Sequence, residues 1–134
     1  MREILFRGKS EELGRWFCGF YWETSSGIPF IREKTEKSVS DHRVMKETVG
    51  QYTGMNDAND KKVFEGDIML FSPFTIETGI FPSHYALVVW GDVGWELQEK
   101  NCSGADVLDA DAAENAVVVG NIYDSPELLE VNHD

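Results

Sequence analysis

The sequence predicts a mainly β chain built as a small barrel or sandwich, on three observations. Apolar residues recur with period two in short runs, turn-forming residues separate those runs, and helical spacing is nearly absent. The chain's 134 residues are a common length for one domain, and they include four Trp, eight Phe and four Tyr, enough apolar surface for one sizeable core.

Taken in order, Ile4 and Phe6 of REILFRGK alternate with Glu3, Leu5 and Arg7, the pattern of a half-buried strand. Ser10–Gly14 reads as a turn. In RWFCGFYWE, Trp16, Cys18, Phe20 and Trp22 share one face and Phe17 and Tyr21 the other, and Cys18 among these aromatics is expected in the core. IPFIRE (28–33) is a shorter strand, and the polar stretch 33–47 reads as a mobile loop or an edge. Strands follow at 67–74, 84–90, 94–98 and 116–123, with Gly91-Asp92-Val93-Gly94 as a tight hairpin between two Trp-bearing runs. Residues 106–115 place Leu108 and Ala112 at helical spacing with Asp106 as N-cap, on a segment better read as a solvated acidic turn or helix face. Ser125-Pro126-Glu127-Leu128-Leu129 starts a terminal helical turn with proline in first position.

Charge is distributed unevenly. The net −12 comes from 24 acidic and 12 basic residues, and only Lys100 is basic beyond residue 70. Such a field repels phosphate unless basic residues are locally segregated, so direct nucleic-acid binding is disfavoured. Arg32, Lys34, Lys37, Arg43 and Lys46 are interleaved with Glu33, Glu36, Asp41 and Glu47 and read as a solvated loop or exposed strand face. No apolar run approaches the ~20 residues of a membrane-spanning helix, and no secretory leader is evident, so no membrane association is expected. Two cysteines, Cys18 and Cys102, are too few for a disulfide scaffold, and a reduced cytoplasmic setting is expected.

Two stretches are more specific: TVGQYTGMNDANDKKVFEGDIM at 48–69 and VVGNIYDSPELLE at 118–130. With the opening REILFRGK and the Gly14…Trp16…Gly19 spacing, they resemble the YopX family of small phage and prophage proteins. The resemblance implies one YopX-like domain over 1–134, with an N-terminal β-rich segment to about residue 47 and an SH3-like barrel core from about 48 to 130, and it implies no particular activity. Its shared positions Gly50, Gln51, Gly54, Glu65, Gly66, Asp67, Gly120, Asn121 and Pro126 are expected to be structural. Asp60 stands where that family usually has Gly, so a left-handed turn residue is expected there, a conformation that Asp tolerates better than most. Met55, Val63-Phe64 and Asp124-Ser125 are further, tolerable departures.

The chemistry-bearing residues are sparse. Glu65 and Asp67 lie two apart, but Asp67 reads as a brace for its turn. Asp57, Asn59, Asp60 and Glu65 are oxygen donors in one segment, yet Lys61 and Lys62 break the calcium-loop template. His42, His84 and His133 have no ligand-spaced neighbours, and Cys102 lies in a polar stretch with Lys100 as its only nearby cation. No nucleophile-elbow, phosphate-loop or dinucleotide motif occurs. Hence no catalytic residues, metal or cofactor are expected. The aromatics Tyr85, Trp90, Trp95 and Tyr123 read mainly as core or cross-strand pairs and otherwise as the lining of a peptide groove. With the acidic Asp106, Asp109, Asp111 and Glu114 they form the expected interaction surface. A non-catalytic protein-interaction module with an unidentified protein partner, or a second copy of the chain, is the leading expectation. An acidic inhibitor or DNA mimic comes second, and a hydrolase or metal-dependent enzyme using Glu65 and Asp67 third.

Overall fold

The computed structural model describes residues 3–99 and 105–130, so Cys102 and His133 lie outside the described residues. The chain is mainly β and divides into two compact units, residues 1–54 and 55–134.

The first unit is an antiparallel sheet of strands β1 (Phe6–Lys9), β2 (Trp16–Glu23), β3 (Pro29–Lys34), β4 (Val39–Arg43) and β5 (Gly50–Asn56), ordered β4-β3-β2-β1-β5. The segment 33–47 thus supplies the edge strand β4 and a short 3-10 turn, Lys46–Thr48. Pairing fixes which side chains share a face. Phe6 opposes Gly19, Phe17 opposes Gly8, and Tyr21 opposes Ile31, which opposes His42. Phe17, Ile31 and Val44 are buried there, with Phe6, Tyr21 and Val49 packed against them. Gly8 leaves room for this core, because a Cβ on it would come within 2.9 Å of Val44.

Cys18 is exposed, contrary to the core position expected of it. The two faces of β2 both carry aromatics, and it is the Phe17/Tyr21 face that packs on Ile31; Cys18, one position out of phase with Phe17, points the other way.

The second unit holds β6 (Lys62–Phe64), β7 (Asp67–Phe71), β8 (Phe74–Ile76), β9 (Gly79–Phe81), β10 (His84–Gly91), β11 (Gly94–Gln98), β12 (Ala105–Val107), α1 (Ala110–Glu114) and β13 (Ala116–Asn121), then a 3-10 turn at Pro126–Glu130. Five strands form one sheet, β12-β11-β10-β7-β13, and β8-β9 is a separate small hairpin. Val63, Met69, Ala86, Val88, Leu97, Leu108, Ala113 and Ala116 make the core. Burying each larger aliphatic side chain stabilises the fold by about 1.5–3 kcal/mol.

Two expectations are refined and a third is met. Among the described residues the five-stranded sheet is open, with β12 and β13 as its edges, so the barrel is not closed. The helix starts later than expected: 106–107 continue β12, and Asp109, not Asp106, caps α1 by accepting from the Ala112 N–H at 2.9 Å. Strand pairing outcompetes a helical turn there because Glu96 and Leu97 of β11 take Val107 and Asp106 as partners. The hairpin at Gly91–Gly94 forms as the sequence suggests, with Gly94 at φ 133°.

Candidate functional site

The loop that supplies most oxygen donors is a structural joint. Asp57 is buried, and its Oδ1 accepts from the N–H groups of Asn59 (2.8 Å) and Lys61 (2.9 Å) while Oδ2 accepts from Val118 N–H (2.8 Å). Burial alone would raise the Asp57 pKa, but the hydrogen bonds from Val118, Lys61 and Asn59 outweigh it and hold the carboxyl below its ordinary value. The Ala58 N–H adds a bond to the Ala116 carbonyl at 2.9 Å, so one stretch of the sequence pattern is tied directly to the other. Asp60 adopts φ 63°, the left-handed conformation its position requires, and its carboxylate accepts from Asn56 Nδ2.

The remaining pattern residues hold turns and strand pairs of their own. Asp67 accepts from Phe64 N–H at 2.8 Å and brackets the turn in which Gly66 sits at φ 91°. Gly66 donates to Val88 and accepts from Ile122. Asn121 pairs with Asp67 across β7 and β13, and its Oδ1 gathers the N–H groups of Tyr123 and Asp124. At Gly120 a Cβ would lie 3.0 Å from Ser125 Cβ and 3.1 Å from Leu128 Cδ1, so the terminal turn led by Pro126 packs close against it. Gly54 takes φ 85° within β5, on which Gly50 and Gln51 pair with Arg7 and Phe6. Glu65 is half-buried in the turn before Gly66.

The expected aromatic surface is only partly brought together. Trp90 and Trp95 are directly opposed on β10 and β11 with ring centroids 4.8 Å apart, edge to face. Trp95 packs on the core and Trp90 is 60% exposed. Tyr85, an odd number of positions from Trp90 on one strand, faces the opposite side of the sheet, and Tyr123 lies beyond β13 in a turn. Of the acidic set, Asp106, Asp111 and Glu114 are exposed around α1, and Asp109 is committed to its cap.

A different surface is better organised: the face of the first unit's sheet that carries Trp16, Cys18, Phe20 and Trp22. Register brings Trp16 opposite Lys9, Phe20 opposite Arg32, and Trp22 opposite Phe30, which itself opposes Arg43. The Arg7 guanidinium lies 4.8 Å from the Trp16 ring centre and Arg32's 5.4 Å from that of Trp22, within cation–π range. Trp22 and Phe30 stack at 5.0 Å. Asp41 takes two bonds from Arg32, at 2.9 and 3.1 Å, and one from the Trp22 indole N–H at 3.0 Å, which fixes both side chains. Phe20 is 63% exposed.

Charge sorts with this face. In β1–β4, Lys9, Arg32, Lys34, Arg43 and the buried Arg7 fall on it with Asp41 as the one carboxylate, whereas Glu23 and Glu33 fall on the other. Asp41 is neutralised by Arg32, and its carboxyl is held below its ordinary value mainly by that hydrogen bond and then by the Trp22 N–H. Lys34 and Arg43 make no ion pair among the described residues. The acid–base interleaving that looked neutral in the sequence is separated by strand alternation, a signal available from assigning 28–43 as a hairpin.

The reverse side holds an open groove of about 680 Å3, bordered by Ser10–Leu13 and Asp41–Glu47. At its base the His42 ring stacks on Phe17 at 3.7 Å, with Nε2 3.5 Å from Glu33. Its rim mixes Glu11, Glu12 and Glu47 with Lys46, so no single ligand charge is selected.

Comparison with curated proteins gives no match. Among solved structures, the crystal structure of protein EF1440 from Enterococcus faecalis is similar in fold, with TM-score 0.58 and 18% identity over 96% of this chain and 99% of that one. The family described as YopX protein matches residues 6–130, which include both stretches joined through Asp57. This chain therefore belongs to the YopX family.

Proposed function

We propose that this YopX-family chain works by binding rather than by catalysis, as an interaction module in the phage or prophage setting its family suggests, acting in the host cytoplasm. Two of the carboxylates that the sequence offers for chemistry, Asp57 and Asp67, are engaged by backbone N–H groups, which supports a structural assignment. One observation carries the reading: the exposed Phe20 and the half-buried Trp22 and Phe30 share one face with Lys34 and Arg43, and Asp41 fixes the Trp22 indole. Rigid aromatic and arginine side chains dominate binding energy at interfaces. The test is capture from a host lysate with wild-type chain and with the double variant Phe20→Ser/Arg43→Glu. Ligands retained by the first and lost by the second support the reading; identical capture by both refutes it.

The second reading, an acidic inhibitor or DNA mimic, places the ligand at Asp106, Asp111 and Glu114, which are exposed together around α1. Asn or Gln at those positions would then abolish capture of a basic partner, and unchanged capture would remove this reading.

A further inference from the structure

We infer that the aromatic–cation face of β1–β4 is a binding site for single-stranded nucleic acid. The inference rests on the proposed binding role of that face and names its ligand.

Three features select this ligand. First, the aromatics recur along and across the sheet. Phe20 and Trp22 lie two positions apart, about 6.6–6.8 Å along one face, and Phe30 extends the row onto the next strand. Bases stack on such platforms whatever their identity, whereas a folded duplex hides its base faces. Second, Phe30 lies opposite Arg43, and Phe20 lies opposite Arg32, which pairs with Asp41, while Trp22 lies opposite Phe30. A phosphate linking stacked bases would therefore find a positive group one strand away. Third, the charge is complementary. The Arg32–Asp41 pair is neutral, and the exposed Lys34 and Arg43 leave the face cationic on a chain whose net charge is −12. An unsegregated acidic surface would repel phosphate; here Glu23 and Glu33 lie on the opposite side of the sheet. An uncharged or basic peptide would gain nothing from the row of cations.

The test is fluorescence anisotropy of a labelled oligo(dT) with the full chain at 50 and 200 mM salt, alongside lysate capture with and without nuclease. With Lys34 and Arg43 neutralising about two phosphates, the single-strand slope is about −1.4, so affinity falls about 7-fold over that fourfold change in salt. Phe20→Ala weakens binding by about 5- to 150-fold through loss of one stacked base, and Lys34→Glu/Arg43→Glu abolishes it. Glu77→Gln, at an exposed residue outside this face, leaves it unchanged. Phe20, Lys34 and Arg43 are exposed, and unaltered circular dichroism of the variants separates loss of binding from loss of fold. No binding at ~100 μM protein and 50 mM salt overturns the inference, as does binding indifferent to these substitutions. If oligonucleotide fails but a nuclease-resistant protein is captured through Phe20 and Arg43, the ligand assignment falls and the binding face stands. If neither depends on those residues, both fall.

Discussion

Replacing Asp57 by alanine removes the acceptor for three backbone donors in one step. The Val118 N–H, in half-buried β13, is then left without its acceptor, at a cost of about 1–3 kcal/mol. The Asn59 and Lys61 donors lie in an exposed loop and regain water, so losing their bonds to a charged acceptor costs about 1 kcal/mol each. The total is about 4 kcal/mol, a large part of the 5–15 kcal/mol that holds a domain folded. Asp57→Asn keeps the shape and one acceptor oxygen, but it sets an amide donor against the Val118 donor, and costs about 2 kcal/mol. Urea denaturation followed by circular dichroism measures the differences, and amide exchange at Val118 and Lys61 locates them. The pH dependence has a defined sign. Because the folded-state pKa of Asp57 is lowered, its stabilisation is fully present above the ordinary carboxyl range and is lost as pH falls through the folded value. Asp57→Asn therefore flattens the acid limb of the stability curve. An Asp57→Ala variant within about 0.5 kcal/mol of wild type, the range of an ordinary surface change, would refute the assignment of this residue as the joint.

Three further outcomes follow from the same geometry. Asp60→Gly is tolerated to within about 0.5 kcal/mol, while Asp60→Val loses about 1–2 kcal/mol in thermal or urea unfolding, because φ 63° crowds a β-branched side chain. Gly19→Ala places a Cβ 2.0 Å from the Arg32 carbonyl oxygen, so it forces β2 and β3 apart and broadens or shifts the Phe20 and Arg32 amide resonances; unchanged spectra would contradict the register. The Tyr21 hydroxyl, bonded to Glu23, titrates at about 12 rather than 10 because of burial, that hydrogen bond and the Glu23 charge. Ultraviolet titration of Glu23→Gln should bring the phenolate transition back toward its ordinary value.

Much of the fold was legible where one local rule acted alone. The Gly91–Gly94 hairpin, the Pro126 turn and the Asp67 brace depend on residues within a few positions, and strand periodicity marked most of the second unit's sheet. Asp60's left-handed backbone followed from the family's Gly at that place. The failures occurred where distant pairing decided. Both faces of β2 are apolar, so the alternation placed Cys18 correctly beside Trp16 and Phe20 but did not say which face meets Ile31. Asp106 was drawn into β12 by β11, which left Asp109 to cap the helix. The candidate face was missed because Arg32, Glu33 and Lys34 average to weak charge along the chain, and only the β3–β4 hairpin separates their signs in space.

That the Trp16–Phe20–Phe30 face binds single-stranded nucleic acid is tested most directly by amide and indole chemical-shift mapping during addition of oligo(dT) to the full chain. The account predicts progressive shifts at the Trp16 and Trp22 indoles and at the amides of Phe20, Arg32 and Arg43, with 106–114 unmoved. Shifts centred on 106–114, or none at any residue, would contradict it.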